Sequence, residues 1–548
     1  MNLPQKDDRP DGAAMMKLNW TFPYTSQRMP VFARSVVATS QPLAAQAGLQ
    51  IMRNGGNAVD AAVATAVAMT VLEPTSNGIG SDAFALIWID GKLHGLNASG
   101  RSARSLSPDR FAGQDNMPRR GWDPVTVPGA VSAWMECSKR FGRLPFAKLL
   151  EPAIELADKG YHVAPLTSGL WQRAEAAYDG FEEFKRTFLI DGRAPAPGQL
   201  VRLPQHAATL KEIAESRGES FYRGRLANAI ADTAKSDGGL LNFNDLAAHS
   251  ADWVEPLSIA YKGWQLHEIP PNGQGLAALL ALGILRKFDL ASLQVDCPDV
   301  IHLQIEAMKL AFADAHRYIA DPRFMSVQAN ALLGDDYIAS RAALINPSRA
   351  QNFEHGQPKP GGTILLTTAD SSGGMVSFIQ SNYTGFGSGI VIPGTGIAMQ
   401  NRGACFTLEK GHPNEVGGAK RPYHTIIPAF VTRDGAAGPE PVMAFGVMGG
   451  FMQPQGHIQV VIRMADFGQN PQAALDAPRW QVTEGMKITI EPGFDASLYD
   501  DLKNRGHVID VAGERSVTFG RGQAIYRLDD GGYCGASDSR GDGQAVGW

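Results

Sequence analysis

With 548 residues, of which 44% are hydrophobic and 19% charged, the chain has ample apolar material for large cores, which excludes general disorder. A formal net charge of −5 excludes a nucleic-acid binder held mainly by phosphate contacts. The 60 glycines and 34 prolines are spread along the chain and read as many tight turns rather than low complexity, and length suggests about three or four domains at roughly 150 residues each.

Residues 1–30 read as a loosely draped leader. They lack an apolar core behind a basic cluster, so no Sec signal peptide is expected. The longest apolar stretch, Ala58–Leu72, is too short to span a membrane. The four cysteines, Cys137, Cys297, Cys405 and Cys534, show neither metal-ligand spacing nor a disulfide framework. A cytoplasmic protein without metal or organic cofactor, and without nucleic-acid or membrane partners, is expected.

In chain order, an amphipathic helix is expected over Pro42–Arg53, ended by Gly55-Gly56. Asn57 then caps a second helix, AVDAAVATAVAMTVL, which is apolar all round and therefore buried. A glycine loop over Glu73–Ser81 leads into a strand at Ala83–Ile89, and a hairpin over Asp90-Gly91 returns through Leu93–Leu96. Residues 123–139 and 146–159 read as a Val-Pro-Gly turn and helices, and 274–287 and 301–319 as two long helices. Residues 346–362 lack apolar periodicity and read as an exposed loop.

Thr363 comes next, behind Gly361-Gly362 and before the apolar run Ile364-Leu365-Leu366. A turn at Asp370–Gly374 leads to a second strand from Met375 to about Gln380. A threonine opening a strand behind two small residues is placed for self-cleavage between Gly362 and Thr363. The freed residue would carry its hydroxyl and, on the same residue, an α-amine as general base. On local pattern alone, Gly-Gly-Thr is also an ordinary strand start.

Several motifs together carry a stronger signal. The stretch from Thr363 to Asp370, Phe386-Gly387-Ser388-Gly389, Gly446–Gly450, Asp476–Arg479 and Ala536–Gly543 resemble, in order, the γ-glutamyltranspeptidase family of N-terminal-nucleophile hydrolases. The likeness starts at Val37 and covers nearly the whole chain. It implies an α+β four-layer αββα sandwich, with two mostly antiparallel sheets flanked by helices. It also implies a zymogen that cleaves itself into a large fragment, 1–362, and a small catalytic fragment, 363–548, interlaced as a heterodimer or a dimer of such heterodimers. Thr363 is then the nucleophile, Ser381 its hydrogen-bonding neighbour, and Gly449 and Gly450 the oxyanion-hole pair.

The substrate-binding positions depart from the family. Arg421-Pro422-Tyr423-His424-Thr425 stands where the family has R-P-x-S-S, so His424 and Thr425 replace two serines expected to contact substrate. Tyr383 and Cys405 stand at the positions that bind an α-amine, Asn401 is retained, and Arg101 is the arginine nearest the family's carboxylate-binding position. Ser81 replaces the last glycine of the family's G-x-G-G loop. The resemblance implies a γ-glutamyl hydrolase acting on compounds such as glutathione, with hydrolysis favoured over transfer. A glutaryl-type, cephalosporin acylase-like amidohydrolase is the alternative, and an uncleaved binding relative is the reading of another class.

Overall fold

A computed structural model describes residues 27–353, 362–514 and 516–548. Most of the expected leader and the segment 354–361 before Thr363 lie outside the described residues. Two seven-stranded sheets form the centre. One runs in the order 544–547, 36–39, 362–369, 375–383, 82–89, 92–97, 252–254, and the other 31–33, 533–537, 521–527, 438–448, 429–435, 264–268, 257–261. Every pairing in both is antiparallel. Each sheet mixes strands from before and after the 362/363 bond.

The strand Gly362–Ala369 shows why the sequence layers in this way. Successive side chains point to opposite faces. Ile364 and Leu366 enter the core shared with the helices Pro42–Arg53, Ala58–Leu72 and Ala130–Phe141. Leu365 enters the core between the sheets, with Leu86, Ile379, Phe430, Ala444 and Ile525. The opposite sheet is covered by Gly275–Leu285, Pro298–Tyr318 and Met452–Ala465. The αββα sandwich is therefore observed, with central strands such as Asp82–Ile89 and Met375–Tyr383 buried on both faces, as their continuous apolar runs require.

Local expectations hold where the signal is local. Asn57 caps Ala58–Leu72 in a reciprocal capping box with Asp60, and every residue of that helix is buried. Asp370, in the turn after Thr363's strand, accepts the Ala58 N–H at 2.6 Å and so joins the hairpin to that helix. Boundaries move by a few residues. Within 123–139 the helix begins at Ala130, directly after the Val-Pro-Gly turn, because 123–129 is an irregular loop with Pro124 and Pro128 inside it, and the second hairpin strand runs on to Tyr383.

Candidate active site

Thr363 lies two residues before Leu365 and shares its inter-sheet face, as Ser381 shares that of Ile379. The pairing slips between Gly362↔Tyr383 and Ile364↔Gln380, so Thr363 sits at an irregularity opposite Ser381 and Asn382. Its hydroxyl donates to Ser381 Oγ at 3.3 Å and accepts from Gln453 Nε2 at 3.4 Å. Ser381 Oγ also accepts the Tyr383 N–H at 2.8 Å. Thr363 is 1% exposed.

Gly449 and Gly450 follow the strand Gly438–Met448 and precede the helix Met452–Ala465. Their φ values, 136° and 62°, are ones a side chain disfavours. Their carbonyls accept the N–H groups of Met452 and Gln453, while neither glycine's own N–H has an acceptor among the described residues. Two backbone donors without an acceptor among the described residues thus precede a helix N-terminus, where negative charge is favoured, and Gly449 shares a cavity with Thr363.

Arg521 fixes the main chain. Its Nη2 donates to the Thr363 carbonyl at 3.3 Å, and its Nη1 lies 2.8 Å from Glu73 Oε1, with both side chains buried. Sequence reasoning missed Arg521, Glu73 and Gln453. Gln453 lies three residues after the glycine pair, a spacing that a helix start could have suggested. Arg521 and Glu73 are brought to Thr363 only by the packing of one sheet on the other.

A cavity of about 320 Å³ opens on Thr363 and Gly449. Its charged lining residues are Arg120, Arg173 and Arg521, and no aspartate or glutamate lines it among the described residues. A second cavity of about 480 Å³ is lined by Tyr383, Cys405 and Phe451, with Asp115 and Glu409 among its polar residues.

None of the expected substrate-binding residues lines the Thr363 cavity, although the Tyr383 backbone pairs with Gly362 and donates to Ser381. Arg101 is paired with Asp321 at 3.0 Å and faces a separate cavity with Arg104, Asp245 and His249. Tyr383 (φ 78°) lies beneath the Arg402 guanidinium at 4.7 Å, and Arg402 also donates to Thr425 Oγ1 at 2.7 Å. His424 is fully buried, with Nε2 3.1 Å from Asp82 Oδ2. Burial pushes the Asp82 carboxyl up to about 7 and drives the His424 imidazole well below its ordinary value, so the histidine is a neutral packing partner at Ser381's cross-strand neighbour. Asn401 is buried and ties two loops together, donating to the Arg119 carbonyl at 2.9 Å and to Thr384 Oγ1 at 2.6 Å. Ser81 has a structural use: its hydroxyl accepts from the Gly78 N–H and donates to Asn382 Oδ1 at 2.8 Å.

The gamma-glutamyltranspeptidase family model matches residues 44–548. The chain belongs to the gamma-glutamyltranspeptidase family. Within the family it is similar to the glutathione hydrolase-like YwrD proenzyme of Bacillus subtilis, 34% identical over 94% of this chain and 99% of that one. It is 36% identical to the oxamate amidohydrolase proenzyme of Klebsiella pneumoniae, over 92% of this chain and 97% of the other. A solved cephalosporin acylase from Bacillus halodurans superposes with a TM-score of 0.93 at 50% identity, covering 98% of this chain and 99% of that one. The chain thus stands among hydrolases of this family, with an acylase as a near neighbour, and the Bacillus subtilis and Klebsiella pneumoniae relatives are described as proenzymes. Among the described residues no helix is long and apolar enough to cross a membrane.

Proposed function

We propose that this gamma-glutamyltranspeptidase family member cleaves itself before Thr363 and then hydrolyses amides, with Thr363 as nucleophile. The observation that carries the reading is the threonine hydroxyl, held between Ser381 and Gln453 beside the unpaired N–H groups of Gly449 and Gly450. In maturation Thr363 Oγ attacks the Gly362 carbonyl carbon. The amide becomes an ester, and water cleaves it to leave a Gly362 carboxylate and a free Thr363 α-amine.

In turnover that amine takes the hydroxyl proton, and Oγ attacks the substrate carbonyl. The N–H groups of Gly449 and Gly450 receive the developing oxyanion; one such donor is worth about 3–4 kcal/mol. The collapsing intermediate expels the amine, which takes the proton from the Thr363 ammonium. Water then attacks the acyl ester, giving the acid and regenerating Thr363.

The favoured acyl group is of the glutaryl type, without an α-amine, rather than γ-glutamyl. An ammonium needs an acidic or otherwise strong acceptor in a low-dielectric site, and the lining of the Thr363 cavity offers arginines instead. The similarity to an acylase and to an oxamate amidohydrolase supports the same choice. A cytoplasmic location fits the four free cysteines.

The test is the intact mass of the purified protein under denaturing conditions. Two species that join at Gly362/Thr363, replaced by one inactive full-length chain in Thr363→Ala, are expected. A stable full-length wild-type chain, or a Thr363→Ala protein that still cleaves and turns over amides, would sink the reading and favour a binding role.

A further inference from the structure

We propose that Arg120 captures a carboxylate on the amide substrate and so determines specificity, an inference that rests on the amidohydrolase reading. Arg120 is half-buried on the wall of the Thr363 cavity. Its Nη1 donates to the carbonyls of Arg119 at 3.3 Å and Gly387 at 3.2 Å, and reaches Thr384 Oγ1 at 3.5 Å. Its Cζ lies 4.2 Å from the centre of the Tyr178 ring, a cation–π contact. The Tyr178 hydroxyl donates to the carbonyls of Thr384 and Gly387, so ring and guanidinium are set by one loop. The buried Asn401 ties the Arg119 carbonyl to that same loop.

The guanidinium is therefore fixed in orientation with its charge unspent. Neither Nε nor Nη2 has a hydrogen-bond partner, and no carboxylate pairs with Arg120, among the described residues. Arg173, exposed on the helix Pro165–Ala177, faces the same cavity and is likewise without an ion pair there. Arg521 differs, because Glu73 neutralises it. Arg101 is already committed to Asp321 outside the cavity. Two uncompensated guanidinium groups and no acid in the lining make the cavity attractive to an anion and repulsive to an ammonium. A planar fork already held on one edge meets a carboxylate with little further loss of side-chain entropy.

The carboxylate could belong to the acyl part or to the amine part of the amide, and the assay separates these. Glutaryl-p-nitroanilide carries it on the acyl side, N-butyryl-4-aminobenzoate on the amine side, and butyryl-p-nitroanilide not at all. Wild-type protein, Arg120→Gln and Arg120→Lys are compared after mass spectrometry has established processing. The expected result is a wild-type preference, in kcat/KM, for one carboxylate-bearing amide over butyryl-p-nitroanilide. That preference falls about tenfold to hundredfold in Arg120→Gln, mainly through KM, and is partly restored by Arg120→Lys.

An unchanged preference in Arg120→Gln, or a wild-type preference for the uncharged amide, overturns the role of Arg120 and leaves the amidohydrolase reading standing. Failure of all three amides with a processed wild type would instead count against that reading. Arg120 is then judged by calorimetric binding of glutarate: weaker binding to Arg120→Gln supports the capture role, and equal or absent binding overturns it.

Discussion

Arg521→Met probes the buried ion pair that holds the Thr363 main chain. The Arg521 and Glu73 side chains are 7% and 0% exposed, and their closest charged atoms are 2.8 Å apart. Among the described residues Glu73 Oε2 accepts only the Ser40 hydroxyl, at 2.7 Å. Removing the guanidinium strands a carboxylate in the protein interior and also takes a donor from the Thr363 carbonyl. Breaking a buried pair from one side costs about 3–5 kcal/mol, whereas replacing both partners by neutral groups of similar size is often close to neutral. Arg521→Met should therefore lower stability by roughly 3–5 kcal/mol, and Glu73→Gln/Arg521→Met should recover most of that loss. Urea unfolding in a Thr363→Ala background compares every variant as one chain and reads the midpoints directly. A single variant within about 1 kcal/mol of its parent, or a double variant no more stable than the single one, would refute the claim that an uncompensated charge dominates.

Two further outcomes follow from the same sheet ends. Gly449→Ala places a side chain at φ 136° and moves one of the two unpaired donors, so amide turnover should fall about 10²–10³-fold. Steady-state kinetics on the processed protein check this, and turnover within about threefold of wild type would exclude Gly449 from the oxyanion site. Burial would raise the Asp538 carboxyl, but Arg479, Arg540 and the N–H groups of Gly522 and Arg540 outweigh it and hold it at about 2. Its folded value lies below its ordinary value of 3.8, so its contribution, about 2 kcal/mol, is present above pH 4 and is lost as pH falls from 4 towards 2. Asp538→Asn should flatten that part of the acid-unfolding curve while destabilising the protein at pH 7; an unchanged curve would contradict the assignment.

Much of the architecture was legible locally. The buried helix with its Asn57 cap, the Asp90-Gly91 hairpin and the strand pair around Asp370–Gly374 are each written in a few consecutive residues, because capping, turn chemistry and apolar periodicity act over one or two turns of chain. Ser381 was legible through its match to the family position beside the nucleophile, whereas the register slip that sets it against Thr363 appears only in the fold.

The surroundings of the threonine were not legible in this way. Gln453 and Arg521 come from the opposite sheet's strand and helix, Glu73 from the end of a helix nearly 300 residues upstream in sequence, and Arg120 from a loop with no periodicity at all. The family resemblance put Arg101 nearest the carboxylate-binding position, but in the fold Asp321 pairs with it at a separate cavity, while Arg120 faces the Thr363 cavity without a carboxylate partner among the described residues. The sequence alone determined the strands, the caps and the hairpin that presents Thr363, since these depend on neighbours along the chain. Only the tertiary structure decided which charges meet that residue, since the pairing of distant guanidinium and carboxylate groups depends on how two sheets stack and on which partners burial forces together.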